Sequence, residues 1–112
     1  MRKPLAVALF VLSLLGSEPS RADTTATLIF VNSGAAIGEL RIYDVICDEN
    51  RYGPKAFAAN DATGPIDTFC VKDASKIVTD VKIYKEGAEA FSLIEVPTNS
   101  TVDVFNGKVT SP

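Results

Sequence analysis

The residues of this chain with chemical potential crowd between positions 44 and 73. Cys47 and Cys70 are its two cysteines. Asp48, Glu49 and Asn50 follow the first; Arg51 and Tyr52 come next; Asn60, Asp61 and Asp67 lie before the second. Such residues can form a thiol redox or thiolate metal site, a crosslink, an oxygen-ligand cation site, or a recognition surface.

Spacing separates these readings. Thiols tuned for redox work favour a C-x-x-C arrangement, which lowers one thiol pKa, whereas Cys47 and Cys70 enclose a segment of 24 residues counted inclusively. An even cysteine count in an exported chain points to pairing, and two cysteines allow one intramolecular bond. A Cys47–Cys70 disulfide is therefore expected. In the chain-entropy account such a closure stabilises by roughly 3 kcal/mol.

Calcium accepts carboxylate, amide and backbone oxygens, and Asp48, Asp61 and Asp67 are the acids that the crosslinked segment offers. "DENRYG" lacks the D-x-[DN]-x-[DN]-G spacing of an EF-hand loop, and Arg51 and Lys55 offset part of the negative charge. A calcium- or carbohydrate-binding role led by these three acids is the alternative to protein recognition.

Protein recognition is the leading expectation. Residues 48–65 carry the breaker pairs Gly53-Pro54, Asn60-Asp61 and Gly64-Pro65 and read as a long loop. Long loops in compact domains tend to be functional or disordered. Arginine and tyrosine are enriched at interface hot spots, and a tether at the loop base reduces the entropy lost on binding. Arg51, Tyr52, Pro54 and Phe57 are thus the expected partner-binding residues, suited to an adhesive loop or an inhibitor of a secreted enzyme.

Composition removes other classes. The chain has no histidine, which excludes Ser-His-Asp and Cys-His catalysis and histidine-bearing metal centres. "NGKVT" (106–110) has a Gly-Lys pair without the upstream glycine of a phosphate loop. Paired carboxylates of glycosidase type remain, but most acids alternate outward on predicted strands. The chain is read as non-catalytic, with no cofactor.

The elements that must position these residues follow an N-terminal leader. Arg2 and Lys3 precede an apolar run from Leu5 to Leu15, and Ser20-Arg21-Ala22 supplies a small-residue cleavage pattern. Residues 1–22 read as a signal peptide, too short in their apolar run to cross a bilayer, and a secreted or periplasmic location follows. Residues 23–112 form one domain of 90 residues with 8 basic and 13 acidic side chains, a net charge of −5. That balance disfavours nucleic acid and anionic lipid. The expected partner is a protein, with the domain itself a monomer and no membrane span after cleavage.

Within the domain, "TATLIFV" (25–31) is rich in β-branched and aromatic residues and predicts a strand. "NSGAA" (32–36) predicts a turn using positive φ at Asn32 or Gly34. In "IGELRIYDVIC" (37–47), Leu40, Ile42 and Ile46 alternate with Glu39, Arg41, Tyr43 and Val45, the period of a half-buried strand. Asp44 falls on the apolar side of this count, which predicts a bulge or an open edge. "KAFAA" (55–59) is a short strand candidate inside the loop. "IDTFCV" (66–71) places Ile66, Thr68 and Cys70 on one face. "KIVTDVKIYK" (76–85) and "EAFSLIEV" (89–96) flank a hairpin turn at Gly87; Ile94 and Val96 blur the second alternation. "TVDVFN" (101–106) directs Val102 and Val104 inward, and "KVTSP" is a tail or short return strand. Asn99-Ser100-Thr101 matches a glycosylation acceptor.

Six or seven short strands at roughly ten-residue spacing, with no convincing helical period, predict an all-β fold: a small antiparallel β-sandwich of immunoglobulin-like dimensions with one disulfide.

Overall fold

The computed structural model describes residues 24–112; residues 1–22, read above as a signal peptide, and Asp23 lie outside them. Eight strands fold into two four-stranded sheets. β1 (Thr25–Val31), β4 (Ala62–Cys70), β7 (Ser100–Asp103) and β8 (Val109–Thr110) form one, in the order β4-β1-β7-β8. β2 (Ile37–Asp44), β3 (Glu49–Phe57), β5 (Val78–Lys85) and β6 (Ala88–Pro97) form the other, in the order β3-β2-β5-β6. All pairings are antiparallel except β1 with β7, which is parallel. The small all-β sandwich with one disulfide is thus the architecture observed.

The core is what the alternation dictates. Ala26, Leu28 and Phe30 of β1 face Leu40 and Ile42 of β2 and Val81 and Ile83 of β5, joined by Phe69, Val102 and Val104, all without solvent exposure. The Phe30 and Phe69 rings meet at 5.9 Å. Each of the large side chains contributes about 1.5–3 kcal/mol on burial. The predicted hairpin at Gly87 is present, with Glu86 and Gly87 both at positive φ (52° and 82°), the twist-matched two-residue turn of antiparallel pairs.

Four local expectations are corrected. The segment 48–65 is not a loop: it is β3 and the first four residues of β4, joined at residues 58–61. β3 and β4 are sheet edges, so both of their faces keep exposed residues and the period-two signal fades. Glycine and proline sit where an edge tolerates them: Gly53 at φ 70° within the irregular β2–β3 register, and Gly64 at φ 75° on β4.

In β4, Ile66, Thr68 and Cys70 do not share one face as expected, and Phe69 is the fully buried residue. A register shift opposite Ala26 and Leu28 gives β4 one extra residue, so Ile66 and Phe69 both pack on the core across the bulge. Ile46, counted as inward, is 38% exposed because β2 ends at Asp44 and the chain turns.

The turn after β1 is closed by a side chain rather than by positive φ at Asn32 or Gly34. Asn32 is buried; its amide nitrogen donates to the carbonyls of Ala35 (2.9 Å) and Ala58 (3.2 Å), and its side-chain oxygen accepts from the Gly34 N–H (2.9 Å). Asparagine forms such local turns with its own backbone neighbours.

Candidate functional site

The end of the sandwich where β2 runs into β3 and β4 terminates carries the densest polar chemistry. Cys47, in the β2–β3 turn, and Cys70, the last residue of β4, form the disulfide, with Cα atoms 5.8 Å apart. The bond ties one sheet to the other. Cys47 is exposed and Cys70 half-buried.

Asp44 explains its misfit with the β2 alternation. It is fully buried on a strand that is not an edge, and the expected bulge lies beside it: the register shift between Ile42 and Tyr43 leaves Arg51 as an extra residue of β3. Its Oδ1 accepts the Cys47 N–H (3.1 Å), and its Oδ2 accepts the Cys70 N–H (2.9 Å) and Nε of Arg51 (3.0 Å). Nη2 of Arg51 also lies 3.0 Å from that oxygen. A buried carboxylate is tolerated only when paired and hydrogen-bonded, and this one is both. Arg51 completes the cluster by donating from Nη1 to Glu49 (2.8 Å) and from Nη2 to Cys70 Sγ (3.6 Å).

Beside the disulfide lies an open cleft of about 740 Å³, lined among others by Ile46, Cys47, Cys70, Val71, Lys72 and Glu95. Its lining mixes apolar Ile46 and Val71 with charged Lys72, Asp73 and Glu95. Lys72 pairs with Asp80 (3.3 Å) and Glu95 (3.6 Å), and Lys76 also reaches Glu95 (3.6 Å). The β6 bulge positions Glu95: its residue sits at φ 55° and its N–H donates to the buried Asp80 (2.9 Å). This bulge is why Ile94 and Val96 blur the alternation; Ile94 is 61% exposed.

The second polar-aromatic cluster was half visible in the sequence as outward positions on β2 and β5. Arg41 and Tyr84 are cross-strand partners. The Arg41 guanidinium lies 3.9 Å from the Tyr84 ring centroid and 5.8 Å from that of Tyr43, and the two rings meet edge-to-face at 6.5 Å. Arg41 Nη1 donates to Asn50 Oδ1 on β3 (2.9 Å). Cation–π and edge-to-face contacts each supply about 0.5–1.5 kcal/mol and fix these side chains as a rigid group on the outer face of the β3-β2-β5-β6 sheet.

The expected partner-binding residues separate. Phe57 is a core residue, 2% exposed. Tyr52 is half-buried and packs edge-to-face on Phe57 at 5.7 Å, with Lys55 over its ring at 4.6 Å. Burial, and then the Asp61 carboxylate, raise the Tyr52 pKa above its ordinary value. Arg51 is held by Asp44 and Glu49. Pro54 alone of the four is exposed, on the edge strand β3.

The three acids expected for calcium are not brought together. Asp48 is in the β2–β3 turn at the disulfide end, Asp61 in the turn at the far end of β3, and Asp67 midway along β4. The nine residues of β3 span roughly 30 Å. Among the described residues, the acid-and-sulfur group compact enough to surround an ion is Asp44 with Cys47 and Cys70, whose sulfurs are bonded to each other.

Comparison with protein-family models, curated proteins and solved structures found no match to this chain.

Proposed function

We propose that this chain is an exported, non-catalytic β-sandwich module that binds a protein partner. The observation that supports the reading is the rigid Arg41–Tyr43–Tyr84 group on an outer sheet face. Arginine and tyrosine are the residue types that concentrate binding energy at interfaces, and here their ordering entropy is spent in the free protein, which favours tight association. The tethered segment contributes through β3, whose Asn50 holds Arg41 in place, rather than through a free loop. A disulfide in so small a domain accords with an oxidising compartment outside the cytosol.

The test is co-purification of the native protein from culture medium and periplasmic extract, compared with a Tyr43→Ala/Tyr84→Ala variant. Loss of the same captured protein from the variant, with its melting curve retained, supports the face. Undiminished capture assigns recognition elsewhere and sinks this surface.

A further inference from the structure

The geometry points to the Cys47–Cys70 disulfide as a directional thiol-exchange site, at which a peptide-sized thiol attacks Cys47 and Cys70 leaves. The decisive juxtaposition is that one buried carboxylate, Asp44, binds the backbone N–H of both cysteines while Arg51 donates to the sulfur of Cys70 alone.

Three features carry this. Access is unequal: Cys47 is exposed and Cys70 half-buried, and the cleft of about 740 Å³ opens on the bond, a volume that holds a small ligand. Its lining includes Lys72 and Glu95, which would exchange part of their present ion pairing for the carboxylate and ammonium groups of a peptide-borne thiol.

The leaving group is prepared. In thiol–disulfide exchange the departing sulfur leaves faster when its thiolate is stabilised. Arg51 Nη2 lies 3.6 Å from Cys70 Sγ. The same guanidinium also pairs with Asp44 and Glu49, so it acts on the departing sulfur as a directed hydrogen-bond donor rather than as a free positive charge.

The site also survives opening. Asp44 holds the two cysteine backbones together without using either sulfur, so breaking the S–S bond leaves Cys70 poised for the return reaction. A disulfide serving only as a staple has no need of this duplicate clamp.

The step balances without an added oxidant or reductant. An external thiolate RS⁻ attacks Cys47 Sγ and forms a mixed disulfide there. The Cys47–Cys70 bond breaks, and its electron pair leaves on Cys70 Sγ as a thiolate beside Arg51. Attack of that thiolate on Cys47 Sγ reverses the step and expels RS⁻.

The experiment uses the oxidised, folded protein and reduced glutathione as the probe, with acid quenching and peptide mapping by mass spectrometry. The expected result is glutathione on Cys47 in excess over Cys70 by about tenfold or more, as leaving-group stabilisation and access act together. Removing the probe should restore the disulfide, with the tyrosine near-ultraviolet signal unchanged throughout. Equal labelling, preferential labelling of Cys70, or loss of that signal on opening overturns the proposal. So does an absence of mixed disulfide under conditions that label a urea-unfolded control. Arg51→Lys adds a kinetic reading: slower exchange supports the leaving-group role, because mere destabilisation would accelerate reduction. Unchanged or faster exchange removes Arg51 from the mechanism.

Discussion

Arg51 on β3 and Asp44 at the end of β2 form a buried ion pair at 3.0 Å, with the Asp44 side chain fully enclosed and that of Arg51 16% exposed. Between them they touch the turn after β2, the edge strand β3 and the last residue of β4. Removing one partner of a buried pair strands the other, at about 3–5 kcal/mol. Arg51→Met should therefore destabilise by that amount in urea denaturation. Asp44→Ala should cost at least as much, because it also orphans the N–H groups of Cys47 and Cys70. An Arg51→Met effect below about 1 kcal/mol, the range of an exposed pair, would show that this contact is a surface one.

Gly34 and Phe105 define the opposite end of the sandwich. A Cβ at position 34 would overlap the Phe105 ring, which is itself 53% exposed. Gly34→Ala must displace the ring or the turn. Overpacking of this kind costs about 1–3 kcal/mol, the upper part being reduced by the freedom of the ring to swing outward. Phe105→Ala should rescue the alanine variant. A double-mutant cycle read by thermal unfolding checks it, and additivity of the two changes would refute the clash.

The parts of this fold that were legible in the sequence are those with one buried face. β2, β5 and the Val102/Val104 segment show their period directly, β1 shows its β-branched and aromatic content, and Gly87 announces its hairpin. β3 and β4 were hidden because edge strands expose both faces and because bulges interrupt their registers with β2 and β1. Breaker residues that end a central strand are compatible with an edge, so Gly53-Pro54 and Gly64-Pro65 misled. Asp44 was the useful anomaly: an acid on the apolar count is a signal for a buried partner, and Arg51 stood seven residues away. The pairing across β2 and β5 that joins Arg41, Tyr43 and Tyr84 is a register fact, which spacing along one strand does not contain.

Calcium should leave the protein's stability unchanged. Asp48, Asp61 and Asp67 are spread from one end of the domain to the other, and an ion needs six to eight oxygens within one small sphere. A ligand at 100 times its Kd adds about 2.7 kcal/mol, which a melting curve resolves readily. The expected outcome is superimposable melts in millimolar calcium and in EDTA. A calcium-dependent rise would mean that these acids, or others, converge in solution.

Stability should fall with acid partly through Asp103. Burial acts to raise its pKa, but hydrogen bonds from Ser33 and Phe105, with help from the Lys85 charge, hold it below its ordinary value of 3.8. The N–H groups of Ser33 and Phe105 donate to its Oδ1 at 3.2 and 2.9 Å, tying the turn after β1 to the turn after β7. A carboxyl whose folded pKa is depressed stabilises the fold above its unfolded pKa and loses that contribution as pH falls through the folded value. The window therefore lies at and below 3.8. Asp103→Asn should flatten the pH dependence of the melting temperature across this window while lowering stability modestly at neutral pH. Acid titrations of the two proteins, monitored by tyrosine fluorescence, read the difference. Parallel profiles would show that the carboxylate charge at position 103 plays no part in the linkage. Asp73 is also depressed, by the side-chain and backbone hydrogen bonds of Ser75 two residues away, so its variant serves as the control for a shift without a tertiary tie.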